Sequence, residues 1–188
     1  MTDMAALERR IDRLEARAEI AELCSNYCLI VDARDMAGLA ALLTDDVVFE
    51  SSDGGMDSTG IPAVIDMFNR VLTVRGPGFH WTHDRFVSFD DSDPDTATGI
   101  VLAHAETSPN GIVSLAALRY DDVYKREGGV WKFAKRSLTF FYYVPTAEYV
   151  DRFKEEKRFN APDGWREADF PERLESWQQW FRDNGQPG

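Results

Sequence analysis

The chain has 188 residues, of which 44% are hydrophobic and 29% are charged, the size and composition of one soluble globular domain. Its formal net charge of -12 argues against a nucleic-acid partner, because binding phosphates requires a basic face. The N-terminus is charged and polar, and no apolar run is long enough to span a bilayer, so no membrane partner is expected.

Cys24 and Cys28 are four residues apart in a helical pattern, which places both on one face of a helix. Such cysteines are most often small buried hydrophobic residues, and no second cysteine pair is present to complete a zinc site. The sequence therefore predicts a protein of the reducing cytoplasm.

The N-terminal part of the chain carries the periodicity of helices. Apolar residues recur every three or four positions over residues 4–30, which predicts one long amphipathic helix. Asp35 is placed to cap a second helix over residues 36–43, which Thr44-Asp45-Asp46 ends. A short strand is predicted over residues 47–50.

A third helix is expected after a loop without periodicity. It is predicted from Ile61 to about Val74, with Pro62 in the first turn and Ser58 or Thr59 as the cap. The Gly-Pro-Gly segment that follows is typical of a helix stop.

From there the pattern changes to strands rich in β-branched and aromatic residues. The predicted strands cover residues 79–89, 96–107, 112–125 and 130–143. The turns between them are too short for parallel crossovers, so the sheet is expected to be a mainly antiparallel meander.

Two polar helical stretches are predicted after Pro145, over residues 147–159 and 171–184. The chain is therefore expected to divide into an α+β domain over residues 1–145 and a helical C-terminal extension over 146–188. In the domain, three N-terminal helices must cover one face of the sheet. A sheet curved around them would form a cone-shaped barrel with an open mouth.

Four segments of this pattern resemble the SnoaL-like branch of the nuclear transport factor 2-like superfamily. They are Tyr27 to Asp32, Phe79-His80, Ala97-Thr98-Gly99 and Gly129 to Phe133. The branch includes scytalone dehydratase, bile-acid 7α-dehydratase and lindane dehydrochlorinase. The resemblance covers roughly residues 5–143 and implies that Asp32 and His80 form the Asp/His dyad of those enzymes.

The dyad also has a chemical argument of its own. A carboxylate that orients an imidazole makes a general base or acid near neutral pH without any cofactor. Asp32 lies near the mouth end of the long helix, and His80 near the start of a strand. From spacing alone, a surface or core histidine beside a helix-ending aspartate is the favoured interpretation. With the resemblance at both positions, the catalytic interpretation is favoured.

Two further residues are candidates for catalysis. Tyr27 precedes Asp32 by five residues and resembles the pocket tyrosine of the bile-acid branch, where it would donate a hydrogen bond; a packing role is equally open. His104 resembles the second histidine of the scytalone dehydratase branch, or is a core histidine. His83 and His80 should point to opposite faces of a strand, so no shared metal ion is expected. No cofactor and no covalent nucleophile are predicted.

The pocket lining is expected to be apolar and aromatic, which suits a small hydrophobic or aromatic substrate. The candidate substrate-binding residues are Trp81, Phe68, Phe140, Tyr142 and Arg136. Alternation along a strand allows only half of the four aromatic residues at positions 140–143 to face the cavity. Phe140 stands where the bile-acid branch uses an arginine, which argues against a carboxylate or thioester-linked substrate.

These features predict a cofactor-independent lyase acting on an aryl-containing alcohol in the catabolism of aromatic compounds. Loss of water and release of formaldehyde by carbon–carbon cleavage use the same residues, as in related lyases of lignin-derived diarylpropanes. A polyketide cyclase or isomerase is an alternative. So is a non-catalytic assembly subunit, such as the small subunit of an aromatic-ring dioxygenase. The resemblance also implies a homodimer or a larger homo-oligomer, because the exposed sheet face of that superfamily usually pairs two copies.

Overall fold

The computed structural model describes residues 3–185 and opens with three helices. Helix α1 spans Met4–Asp32, α2 spans Met36–Ala41 and α3 spans Ile61–Thr73. The second half of α1 buries one face, with Ile20, Leu23, Cys24, Tyr27, Cys28 and Val31 in the core. Asp35 caps α2 as predicted, since its side chain accepts a hydrogen bond of 2.8 Å from the backbone N–H of Gly38.

The sheet is a curved antiparallel meander extended by parallel strands at one edge. Its strands are β1 Leu43–Ser51, β2 Ser58–Thr59, β3 Phe79–Phe89, β4 Thr96–Thr107, β5 Ser114–Glu127, β6 Val130–Pro145, β7 Phe159–Ala161 and β8 Gly164–Arg166. The main order is β2-β1-β6-β5-β4-β3. The pairs β3–β4, β4–β5 and β5–β6 are antiparallel, whereas β1 runs parallel to β6. The α+β cone and its mainly antiparallel sheet are therefore confirmed.

Two boundaries in the N-terminal half differ from the prediction. Strand β1 begins at Leu43, so Thr44-Asp45-Asp46 lies in a strand with an irregular register against β6 rather than at the end of a helix. Ser58 and Thr59 do not cap α3, because they form β2 and pair with β1. Gly60 takes the cap position with a φ of 81°, a conformation that glycine adopts without steric cost.

The C-terminal extension is only partly helical. A single turn of 3-10 helix at Thr146–Glu148 and a short helix α4 at Tyr149–Arg152 replace the first predicted helix. Strands β7 and β8 then form a hairpin, in which β7 pairs with β6 at Phe159 and Tyr143. Beyond the end of β1 this edge of β6 is open, and β7 fills it. Helix α5 spans Glu175–Asn184 and lies within the second predicted stretch.

The core lies between the helices and the inner face of the sheet and continues into the extension. Phe159 and Ala161 are buried in the same hydrophobic cluster as Tyr27 and Phe68. Phe159 stacks on Phe140, with ring centroids 4.5 Å apart. Cys24 and Cys28 are buried and unpaired. None of the helices within residues 3–185 combines the length and apolarity needed to cross a membrane.

Candidate active site

Asp32 and His80 are in direct contact. Nδ1 of His80 lies 2.6 Å from Oδ1 of Asp32, and the backbone N–H of His80 donates to Oδ2 at 2.9 Å. One carboxylate therefore fixes both the backbone and the ring of the histidine. The side chain of His80 is 15% exposed and that of Asp32 is 20% exposed, so the pair is accessible but mostly shielded from solvent.

The local fold explains this contact. Asp32 is the last residue of α1, and α1 packs along β3. His80 is the second residue of β3 and pairs with Ala105 of β4. The side chains of paired residues lie on one face of a sheet, and Ala105 is buried in the core. His80 therefore points into the cone towards the end of α1.

His80 lies in the wall of an inner cavity of about 40 Å³. The cavity is lined mainly by apolar and aromatic side chains, with a few polar groups among them. The lining residues are Tyr27, Val31, Met56, Phe68, Val71, Leu72, Arg75, His80, Ala105, Thr107, Ala116, Leu118, Tyr120, Leu138, Phe140 and Tyr143. The volume suits one water molecule, so a ring-sized ligand requires lining side chains to move.

A second space, the outer cleft, lies at the mouth and also holds about 40 Å³. It is lined by Val31, Asp32, Arg34, Leu72, Arg75, Gly76, Pro77, Gly78, His80 and Thr107. Val31, Leu72, Arg75, His80 and Thr107 line both spaces, so these residues form the partition between the inner cavity and the outer cleft. Displacing one of these side chains would join the two spaces.

Behind the inner cavity lies a buried polar floor made of Asp122, Tyr124 and Arg136. Arg136 donates to Asp122 through Nε at 2.9 Å and Nη2 at 2.7 Å, and the hydroxyl of Tyr124 donates to the same carboxylate at 2.8 Å. The Arg136 guanidinium lies 4.3 Å from the ring centroid of Tyr27 and 4.0 Å from that of Tyr120. The predicted substrate anchor Arg136 therefore sits behind the tyrosines that line the cavity.

Tyr27 lines the inner cavity and is 3% exposed. Burial raises the pKa of Tyr27 to about 12, and the positive charge of Arg136 opposes that increase. Tyr27 consequently keeps its proton near neutral pH and is a hydrogen-bond donor rather than a base.

Phe68 and Phe140 also line the inner cavity, as the sequence predicted. Trp81 and His104 do not. Trp81 follows His80 in β3 and so points to the opposite, outer face, where it is 46% exposed. His104 pairs with Trp81 and shares that face. Its Nδ1 lies 2.7 Å from Nε2 of His83, so His83 and His80 do lie on opposite faces.

Tyr142 is displaced by an irregularity in the sheet. In a regular strand Phe140 and Tyr142 would share a face, but Ala117 pairs with Tyr142 while Leu118 pairs with Phe140. The extra residue on β6 is a β-bulge, which reverses the alternation. Tyr142 therefore packs outside against Tyr149 and Phe153, and Tyr143 takes the inward position.

Arg75 and Thr107 in the cavity wall were not predicted from the sequence, and Tyr143 lines it where alternation favoured Tyr142. The hydroxyls of Thr107 and Tyr143 are 2.8 Å apart. Thr107 follows His80's partner Ala105 by two residues in β4, so strand alternation was a usable signal for it. Tyr143 depends on the bulge and Arg75 on the path of a connection, and neither has a sequence pattern.

The fold and the site together define a member of the SnoaL-like family in the nuclear transport factor 2-like superfamily. The family model for the SnoaL-like domain matches residues 12–137, and the chain belongs to that family. The resemblance identified from the sequence is thereby confirmed.

Particular relatives carry the same likeness. The gamma-hexachlorocyclohexane dehydrochlorinase of Sphingobium indicum is 31% identical over 141 residues, 73% of this chain and 88% of the relative. Hexachlorocyclohexane dehydrochlorinase LinA-type3 from Novosphingobium barchaimii LL02 superposes with a TM-score of 0.66 at 27% identity, covering 73% of this chain and 94% of that chain. ActVI-ORFA from Streptomyces coelicolor has a TM-score of 0.58 at 18% identity over 67% and 97% of the chains and shares the fold alone.

Proposed function

We propose that this protein is a cofactor-independent lyase in which His80 removes a proton from a small hydrophobic substrate. The observation that carries the proposal is the 2.6 Å contact between Nδ1 of His80 and Oδ1 of Asp32 at the wall of an aromatic-lined cavity. The curated relatives are named as dehydrochlorinases, enzymes that remove hydrogen and chlorine from one molecule. That name supports an elimination on the same scaffold.

The Asp32 carboxylate determines which ring nitrogen of His80 carries the proton. An ionised carboxylate only accepts hydrogen bonds, so Nδ1 of His80 carries the proton in the neutral ring. Nε2 then keeps its lone pair and is free to act as a base. When Nε2 takes a proton, the imidazolium that forms is stabilised by the negative charge of Asp32.

In the proposed elimination, Nε2 of His80 takes a proton from carbon. The electrons of that C–H bond form the new double bond, and the leaving group departs from the adjacent carbon with its own bonding pair. A departing hydroxide takes the proton from His80 and leaves as water. Tyr27, which stays protonated, donates a hydrogen bond to the oxygen that gains charge.

The substrate class that we propose is an aryl-containing alcohol, because aromatic rings dominate the cavity wall. Loss of water is one outcome. In the other, His80 takes the hydroxyl proton of a primary alcohol. The electrons of that O–H bond form the C=O bond of formaldehyde, and the C–C bond breaks. Its electrons form a new C=C bond, from which a leaving group on the neighbouring carbon departs with its own bonding pair. Both outcomes place the base at His80.

The test is incubation with a panel of aryl alcohols, polyketide-like phenols and gamma-hexachlorocyclohexane. Mass spectrometry then identifies loss of water, formaldehyde or hydrogen chloride, and the product identifies the reaction. The chlorinated compound is included because it gives the relative its name.

The His80→Ala variant tests the base on whichever substrate is turned over. Turnover should fall by about a hundredfold or more, and Asp32→Asn should cost about tenfold or more by losing the orientation of the ring. His83→Ala is the matched control, since this histidine lies on the outer face. Turnover that survives in His80→Ala would reject the assignment.

A further inference from the structure

The mouth of the cone carries a local charge opposite to that of the chain. The net charge is -12, yet the described residues that line the inner cavity and the outer cleft include two arginines, Arg34 and Arg75. The one carboxylate among them is Asp32, which is already engaged by His80. The entrance is therefore a cationic site on an acidic protein, where an anion is favoured locally.

The two arginines are used differently. Arg34 donates through Nη2 to the backbone carbonyls of Arg75 and Gly76, so it holds the connection between α3 and β3. Arg75 is half-buried, and its guanidinium has neither a hydrogen-bond acceptor nor a carboxylate partner within residues 3–185. A guanidinium has five N–H donors, and those of Arg75 remain within reach of solvent, since none of its nitrogens is a buried atom that lacks a partner. Arg75 therefore keeps its donors available for a ligand.

The backbone of Arg75 is fixed even though its side chain has no partner. Its N–H donates to Leu72 at 3.2 Å, and the residue forms a β-bridge with Pro109. It also continues the spacing of Phe68, Val71 and Leu72, which line the inner cavity from α3. The chain thus positions Arg75 in the partition beside His80 while leaving its charged end free.

We propose that Arg75 binds a carboxylate group of the substrate at the mouth, while the apolar body of the substrate lies in the inner cavity against His80. This inference rests on the proposed function and narrows its substrate class to aryl-containing alcohols that also carry a carboxylate. The planar fork of a guanidinium matches a carboxylate with two parallel hydrogen bonds. Engaging it would also draw the Arg75 side chain out of the partition and join the two spaces.

The proposal reverses one expectation from the sequence. Phe140 in place of an arginine argued against a carboxylate substrate, but that argument considered only the last long strand. The structure supplies the cation from the connection between α3 and β3 instead. The carboxylate would bind next to the dyad, because Arg75 lines the outer cleft together with Asp32 and His80, whereas Phe140 lines only the inner cavity.

Binding rather than turnover provides the test. Isothermal titration calorimetry compares 3-phenylpropanoate with 3-phenylpropanamide, which has nearly the same shape without the charge. The full chain should bind the carboxylate about tenfold more tightly or better, the range expected for charge-assisted hydrogen bonds. Arg75→Gln should abolish this preference, and Arg75→Lys should restore part of it. The matched control is Arg85→Gln, which removes the same charge from an exposed position of β3.

The preference should persist in His80→Ala, because the anion contact does not use the base. If the unaltered chain turns over no compound of the substrate panel but still prefers the carboxylate probe, the proposed function alone is rejected. Equal binding of the two probes, including no binding of either, would overturn the carboxylate site. So would a preference that survives Arg75→Gln, or one that Arg85→Gln removes equally. Melting temperatures of the variants show whether each one is folded.

Discussion

The floor and the mouth of the cone both contain an arginine whose side chain faces the interior or a cavity wall. They differ in whether a carboxylate of the protein is paired with it. In the floor, the side chains of Arg136 and Asp122 are 1% and 0% exposed and are joined by two hydrogen bonds. At the mouth, Arg75 has no such partner within residues 3–185. The charge of Arg136 is paired within the protein and fixes the structure, although its buried Nη1 has no hydrogen-bond partner within residues 3–185. Donors left open beside a cavity are instead available to a ligand.

The largest effect on stability is expected from removing the ion pair in the floor. Asp122→Ala leaves Arg136 as an uncompensated buried charge, and we expect it to lower the free energy of unfolding by about 3–5 kcal/mol. Urea unfolding followed by circular dichroism measures this. Asp121→Ala is the control, because Asp121 is 43% exposed in its ion pair with Arg119, and such pairs contribute at most about 1 kcal/mol. Similar losses in both variants would show that the floor does not depend on its ion pair.

A smaller effect is expected from a hydrogen bond that joins β4 and β6 at the cavity wall. Thr107→Val keeps the shape of the side chain but removes the 2.8 Å contact with the hydroxyl of Tyr143. We expect a loss of about 1 kcal/mol in the free energy of unfolding. Thr98→Val, at an exposed position of the same strand, should change little. Adding Tyr143→Phe to Thr107→Val should recover part of the loss, and further destabilisation would contradict this account.

The features of this fold and site that could be predicted from the sequence are those with a local signal. The long helix, the four long strands and the meeting of Asp32 with His80 were predicted, because helical period, strand composition and the family resemblance are local signals. The inward position of Phe140 was predicted on the same basis, from the alternation of a regular strand.

What the sequence could not predict depends on irregularities and on distant parts of the chain. One bulge in β6 places Tyr142 on the outer face of the sheet and Tyr143 on the inner face, and no residue type in the sequence indicates such a bulge. The hairpin of β7 and β8 depends on an open edge of β6 that only the assembled sheet presents. Arg136 belongs to the floor because Asp122 lies opposite it on β5, a pairing set by strand register.

The outer face provides a third case, in which an imidazole has another imidazole as its partner instead of a carboxylate. Partial burial, followed by the charge of His83, lowers the pKa of His104 from its ordinary value of 6.5. The unfolded chain therefore binds a proton at His104 at a higher pH than the folded chain does. This contribution to stability is fully present above pH 6.5 and is lost as the pH falls from there through the lowered pKa of the folded state.

His104→Asn removes the titrating group and should flatten this part of the pH dependence. Below neutral pH, the melting temperature of the variant should fall less than that of the parent. Because the side chain is largely exposed, we expect this difference to be only about 1–2 °C. Differential scanning calorimetry of both proteins at several pH values on either side of 6.5 measures the difference. His83→Gln should act in the same direction but more weakly, because the charge of His83 is the second of the two causes. A variant whose melting temperature falls with pH as steeply as that of the parent would show that the paired imidazoles are as well solvated as free ones. The floor and the mouth would then be the only two of these three regions where pairing sets the energetics.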